Sequence, residues 1–134
     1  MSARYLNPPG LRPPIADGSS QIGVAGPYER IALLAGQSGH DRQGKLSASF
    51  ADQFAQALDN VAVALAHLGS CTEDVMRLQI LIADYREETP SEVGRQLKAR
   101  WPVLGPAITL IPVPRLAVDG MLVEVEATAT LGSG

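Results

Sequence analysis

Two carboxylates, Glu124 and Glu126, stand inside an otherwise apolar run, Met121 to Thr130. Strand alternation puts Val123, Val125 and Ala127 on one face and Leu122, Glu124, Glu126 and Thr128 on the other. A carboxylate in such a run is costly to bury unless something pairs with it or uses it. The chemistry it suits is proton transfer, as a general acid or base. The alternative for both residues is an ion pair between subunits, with Arg77 as a partner. Other polar candidates are scattered: Ser19 and Ser20 before an apolar stretch, the Gly36-Gln37 turn, and His40 just beyond it. His67 and Cys71 have no activating neighbour in sequence and are assigned no chemistry. With those two histidines and a single cysteine, a zinc site built by this chain alone is not expected, and no cofactor is called for.

The elements that position these residues follow from periodicity. Residues 1–18 are rich in proline and read as an extended arm, with one domain over residues 19–134. Short strands are expected near Ser20–Val24 and Arg30–Gly36. Ser49 is a natural N-cap, and Phe54, Leu58, Val61, Leu65 and Leu68 recur along one face of the helix it opens, which Gly69 stops. A long strand, Val75–Ala83, places Met76, Leu78, Ile80 and Ile82 on one face. Thr89-Pro-Ser-Glu92 predicts a capping box with proline in the first helical turn, and Val93, Leu97 and Trp101 step along the buried side. Strands over Ala107–Val113 and Met121–Thr130 complete a ββαβαββ order, an α+β domain with two helices on one sheet face. The opposite face is expected to carry Leu81, Ile108, Leu110 and Leu122, too apolar for a monomer to leave in water, which predicts a closed homo-oligomer.

Composition narrows the function classes. The 134 residues are 46% hydrophobic, enough for one globular core. A net charge of -3 with no basic stripe argues against nucleic-acid binding. No apolar run approaches the roughly 20 residues of a membrane-spanning helix, and the N-terminus lacks a signal-peptide core, so a cytosolic, membrane-free protein is expected.

Several stretches, in order and spacing, resemble the RidA (YjgF) family over nearly the whole chain: Asn7-Pro-Pro-Gly-Leu11, Ser20-Gln21, Ala35-Gly-Gln37, Gly44-Lys-Leu46, Gln56-Ala-Leu-Asp-Asn60, Leu68-Gly-Ser70, Asp74-Val75, Pro106-Ala107 and Val123-Glu-Val-Glu-Ala127. The resemblance implies a chorismate-mutase-like fold and a homotrimer with sites in clefts between subunits. It implies hydrolysis of reactive enamines and imines, such as 2-aminoacrylate, to 2-keto acids and ammonia. In active members an arginine directly after Pro-Ala grips the substrate carboxylate, and a glutamate of the last strand positions water or moves protons. A tyrosine before Ser-Gln and a backbone amide near the Gly-Gln turn complete the site.

Carried over by position, the glutamate is Glu124 and the turn is Gly36-Gln37. Ser19 stands at the tyrosine position, Ile108 at the arginine position and Leu110 where a cysteine is often found. Trp101 is expected to border the cleft, and Arg115 aligns with a different family arginine. The family asparagine of the second helix has no clear counterpart; Glu92 or Gly94 falls near it. Losing one member of a buried charge pair costs on the order of 2–5 kcal/mol, so hydrolysis of 2-aminoacrylate by the usual route is expected to be weak or absent. Ile108 and Leu110 instead suggest an apolar wall beside Glu124, suited to a larger imine, enamine or related labile intermediate, with Glu124 as general acid or base. The transformation would be hydrolysis, tautomerisation, or a pathway-specific elimination or cyclisation; 2-aminomuconate-type deamination stays open. The alternative is a non-catalytic homologue that binds a small metabolite or a protein through the same clefts.

Overall fold

The computed structural model describes residues 3–14, 18–27 and 29–132; the remainder of the proposed arm, residues 1–2 and 15–17, lies outside the described residues. β1 (Arg4–Leu6) pairs antiparallel with β2 (Ile22–Val24) in a small sheet. β3 (Arg30–Ser38), β4 (Val75–Ala83), β5 (Ala107–Val113) and β6 (Val123–Leu131) form the main sheet in the order β3-β6-β4-β5. Only the β4–β5 pair is parallel, and the chain between them forms the crossover helix α2 (Thr89–Arg100). The longer α1 (Phe50–His67) connects β3 to β4. The α+β architecture with both helices on one sheet face is thus as the periodicity implied, with β1 added inside the arm.

The core lies between the helices and one sheet face. Phe54, Leu58, Val61 and Leu65 of α1 and Val93 and Leu97 of α2 meet Leu78, Ile80 and Ile82 of β4 and Val123, Val125 and Ala127 of β6, all buried. Leu68, expected on the buried helical stripe, falls past the end of α1 and is exposed. Met76 is also displaced from its expected core position. The β4–β6 register slips between Val75 and Arg77, so Met76 is the extra residue of a bulge and Val75 takes the core place. Gly23 of β2 lies against the Met76 backbone so closely that a β-carbon there would strike the Met76 carbonyl.

The arm is tied down by Tyr5, whose hydroxyl donates to the Val75 carbonyl at 2.7 Å. Burial pushes that phenol up to about 12, so it remains a donor at any ordinary pH. Ser49 caps α1 as expected, its hydroxyl accepting the Asp52 amide at 3.3 Å. The expected capping box of α2 does not form. A turn in which the Thr89 amide donates to the Arg86 carbonyl draws Thr89 into the helix, and its hydroxyl accepts the Arg86 amide instead.

Glu92 is thereby free to pair with Arg95 at 2.6 Å and to accept from Gln96. The bond from Arg95 holds the Glu92 carboxyl down at about 2, against 4.5 for the free group. A depressed carboxyl stabilises the fold above its unfolded value and loses that contribution as pH falls toward the folded one. Because Arg95 is exposed, solvent screens the pair and its contribution to stability is small. Urea unfolding from about pH 5 to pH 2 should show the wild type losing its advantage over Glu92→Gln across that window; a pH-independent gap would count against the assignment.

Candidate functional site

The strands bring Glu124 and the Gly36-Gln37 turn together. β3 carries an extra residue between Leu34 and Gln37 relative to β6, and this bulge sets Ser38 directly opposite Glu124. The Glu124 side chain lies over Gly36: a β-carbon at Gly36 would sit 2.6 Å from its carboxyl carbon and from Oε1. Glycine is required here for close approach of a side chain to the backbone, not for an unusual dihedral. Glu124 is half-buried and makes no hydrogen bond or ion pair among the described residues. The Arg77 partnership considered for it is therefore absent within the protomer. Glu126, one step along the face, is exposed and shares a shallow depression with Leu33 and Arg77.

A further pair borders this carboxylate. The Ser38 hydroxyl meets His40 Nδ1 at 2.6 Å. Asn60 of α1 donates to both the Ser38 and the His40 carbonyls, each at 2.9 Å, and Gln56 donates to Asn60. The turn is thus held by amides from the helix, and Gln37 bonds back to the Ala35 carbonyl within it. His40 was read from sequence as a loop histidine near the site. Ser38 was not singled out; the signal for it was a hydroxyl two residues before a histidine, just after the Gly-Gln turn.

Ile108 and Leu110 do not join Glu124 in the same protomer. The parallel register sets Ile108 beside Leu78 and Leu110 beside Ile80, on the helix face, whereas Glu124 pairs with Leu81 on the opposite face. This corrects the expected placement of Ile108 and Leu110 with Leu81. β5 is an edge strand with apolar residues on both sides, so alternation alone gives no sign of which faces the core. There they line a hollow of about 470 Å³ with Ser19, Ser20 and Arg12. Ser20 reaches it because its amide donates to the Pro106 carbonyl, beside the start of β5. Trp101, expected to border the cleft, is buried in the core and donates its indole N–H to the Thr72 carbonyl at 3.1 Å. Arg115 pairs with Asp119 on the surface. The sequence-predicted residues therefore form two groups on opposite sides of the sheet, Glu124 with Gly36 and Gln37, and Ser19 with Ile108 and Leu110. Among the described residues no cluster of histidine, cysteine and carboxylate could hold a metal ion.

This architecture, two helices over a mixed sheet with an acidic last strand against a Gly-Gln turn, defines a chorismate-mutase-like α+β protein of the Rid type. The chain belongs to the Endoribonuclease L-PSP family, the family to which RidA and YjgF belong; its profile matches residues 13–131. Among solved structures the chain is similar to YyfB from Yersinia pestis, a Rid-family protein of unknown function, with 28% identity and a TM-score of 0.88 over 98% of this chain and 100% of that one. It is also similar to Rv2704 from Mycobacterium tuberculosis, with 28% identity and a TM-score of 0.65 over 84% and 86% of the two chains. TdcF from E. coli, solved with bound serine, shares the fold at 22% identity and a TM-score of 0.68 over 96% of this chain and 94% of that one. No curated protein matches the chain. No helix among the described residues is long and apolar enough to cross a membrane.

Proposed function

We propose that the chain is an enzyme that acts on a reactive imine, enamine or related labile intermediate, with Glu124 moving the proton, in a subgroup of the family that lacks the strand arginine. The observation that carries this reading is Glu124 itself, seated over Gly36 and without a partner among the described residues. A structural carboxylate in a half-buried strand position normally has a cation or donors to satisfy it. The reading takes the working unit to be a homotrimer, in which the Ile108 hollow of one copy faces the Glu124 patch of the next. Exposed apolar residues on the Glu124 side of the sheet, Ile31 and Leu33, supply a reason for that face to be covered.

The proton chemistry is simple. Hydrolysis of an imine needs a proton on nitrogen as water adds, replaced on the carboxyl by one from that water, and a second on nitrogen as ammonia leaves, replaced by the proton of the carbinolamine hydroxyl as the carbonyl forms. A single carboxyl group can donate and then accept. Water bound to the unpartnered Glu124 carboxyl is the natural nucleophile. Turnover of an enamine released in solution by a pyridoxal-phosphate lyase, followed as 2-keto acid with and without the chain, tests the activity. No acceleration by the wild-type chain on small or larger imines would leave the non-catalytic metabolite binder as the better account. RNA cleavage, suggested by the family's name, is not proposed: net charge is -3, and phosphate backbones are held by clustered cations.

Gly36→Ala offers a gentler check. The added methyl meets Cγ and the carboxyl of the half-buried Glu124 side chain, which can turn away toward solvent, so stability should change by about 1 kcal/mol or less. The carboxyl must swing aside, and a shift of about 1 Å in a catalytic group costs up to about 100-fold. We expect keto-acid release to slow by about tenfold to 100-fold in this variant, at an unchanged midpoint of thermal unfolding. Equal loss of both would mean that Gly36 serves the fold alone.

A further inference from the structure

Ser38 and His40 make a second reactive pair beside Glu124, and the imine chemistry uses neither. The Ser38 hydroxyl lies 2.6 Å from His40 Nδ1. A serine hydroxyl is a weak nucleophile until a base within hydrogen-bond reach can take its proton, and such pairs are often looser than this when a site is empty. The pair is also held still. Asn60 donates to both the Ser38 and the His40 carbonyls, and Gln56 fixes Asn60 in turn. Gly39, between them, is buried against the α1 backbone. Both side chains are themselves only half-buried, so a small molecule can reach them. For Ser38 to donate, Nδ1 must be bare, which leaves the imidazole proton on Nε2. Strand register sets the surroundings. Ser38 stands directly opposite Glu124, and such cross-strand partners share a face with β-carbons about 4.5–5.5 Å apart. On its other side Glu124 has Leu81 of β4 as neighbour, and Glu126 follows it along the same face. The charges nearest in register to Ser38 are therefore acidic, and the far wall is apolar.

We propose that Ser38 is an acyl-accepting nucleophile for small uncharged esters with a good leaving group, with His40 as its base and Glu124 holding the water that removes the acyl group. An anionic ester would meet Glu124 and Glu126, whereas an uncharged one can lie toward Leu81. In the first step the Ser38 oxygen bonds to the acyl carbon as its proton passes to Nδ1. The bond to the leaving oxygen then breaks, and that proton goes with the alcohol, or to solvent when the product is a phenolate. In the second step water on the Glu124 carboxylate adds to the acyl carbon and leaves a proton on the carboxylate. The bond to the Ser38 oxygen breaks, that oxygen recovers the proton, and the carboxylic acid departs. Ester and water thus give acid and alcohol, with no further reactant. The reaction shares Glu124 with the imine chemistry proposed above but does not depend on it.

The test uses the full chain and p-nitrophenyl acetate, with nitrophenolate release followed by absorbance and the acetylated residue located by peptide mass. The wild type should speed release over buffer and carry acetate on Ser38. Ser38→Ala should lose both the acceleration and that adduct. His40→Gln should slow acylation by about 10²-fold or more, as for a lost general base, with the midpoint of thermal unfolding unchanged. Glu124→Gln should still accept the acetyl group but keep it, giving a stoichiometric burst in place of turnover. Phenylmethanesulfonyl fluoride should label Ser38 in the wild type, a reading that needs no variant to fold. No acceleration by the wild type, acetate confined to lysines or the terminus, release unchanged in Ser38→Ala, or acylation unchanged in His40→Gln would each overturn the assignment. A lowered unfolding midpoint in His40→Gln at an unchanged acylation rate would make the pair a structural turn. A chain that cleaves the ester through Ser38 but releases no keto acid from imines would refute the proposed imine reaction alone, and the reverse result would refute the Ser38 assignment alone.

Discussion

Glu124→Gln is expected to slow keto-acid release from an imine or enamine substrate by about 10²–10⁴-fold, the range for a lost general acid or base. Glutamine has the same shape and can still lie over Gly36, so geometry and packing are preserved. What it lacks is a proton that can leave and return. Glu124 forms no internal bond among the described residues, so the change should move stability by no more than about 0.5 kcal/mol. Initial rates, unfolding midpoint and sedimentation equilibrium of the same preparation make the comparison. An enzyme that uses this carboxyl loses rate with its fold and assembly unchanged. A binder keeps whatever it does, apart from some affinity. Loss of assembly together with rate would point to the ion pair between subunits that the sequence left open.

The arrangement explains why one protomer is an incomplete catalyst under this reading. Glu124 and the Arg12–Ile108 hollow lie on opposite sides of a single sheet. A substrate cannot touch both in the same copy. A neighbouring copy that sets its own hollow against the Glu124 face would let one molecule meet an apolar wall and a cation from one chain and a proton carrier from the other. Under the same reading the exposed Leu33, on the Glu124 face of the sheet, is a natural contact for that neighbour.

Much of this was legible in the chain because local and long-range signals agreed. The α1 stripe and the β6 alternation each had one clear period, and with the Ser49 cap they formed as read, except that Leu68 falls past the end of α1. β5 was different. Its residues are apolar on both faces, and its in–out sense depends on parallel pairing with β4, which no local pattern encodes. Met76 misled for a similar reason, since a bulge resets alternation without any mark in composition. Trp101 stepped correctly along the buried side of α2, and its N–H is satisfied inside the core by Thr72, so size alone did not make it a cleft residue. The Glu92 box failed because the turn at Arg86 draws Thr89 into the helix, which leaves Glu92 to pair with Arg95. Arg12 carried no sequence signal, because only the fold-back of the arm onto Gln21 brings it to the hollow.

The amides of α1 show how a polar residue can be unreadable and still decide the site. Gln53 looks like part of a solvated face, yet it is fully buried. Its Nε2 donates to the Ser47 carbonyl at 2.7 Å and the Gly120 carbonyl at 2.9 Å, while its Oε1 accepts the Leu122 amide at 2.8 Å. The Gly39 turn packs against the backbone of the same residue, where a β-carbon would sit 2.6 Å from the Gln53 Cα. One helical position therefore anchors the turn after β3 and the entry to β6, the two segments that flank Glu124. Gln53→Leu keeps the volume and removes all three bonds. Each group left without a partner costs about 1–3 kcal/mol. Because Ser47 and Gly120 lie near the surface, water recovers part of that, and a net loss of about 3 kcal/mol is expected, a large share of a typical domain's stability. The midpoint of thermal unfolding should fall by about 10 °C, and hydrogen exchange at the Leu122 amide should quicken more than at core amides of β4. A midpoint within about 2 °C of wild type would mean that the entry to β6 is fixed by strand pairing alone, and that α1 does not hold the Glu124 carboxyl in place.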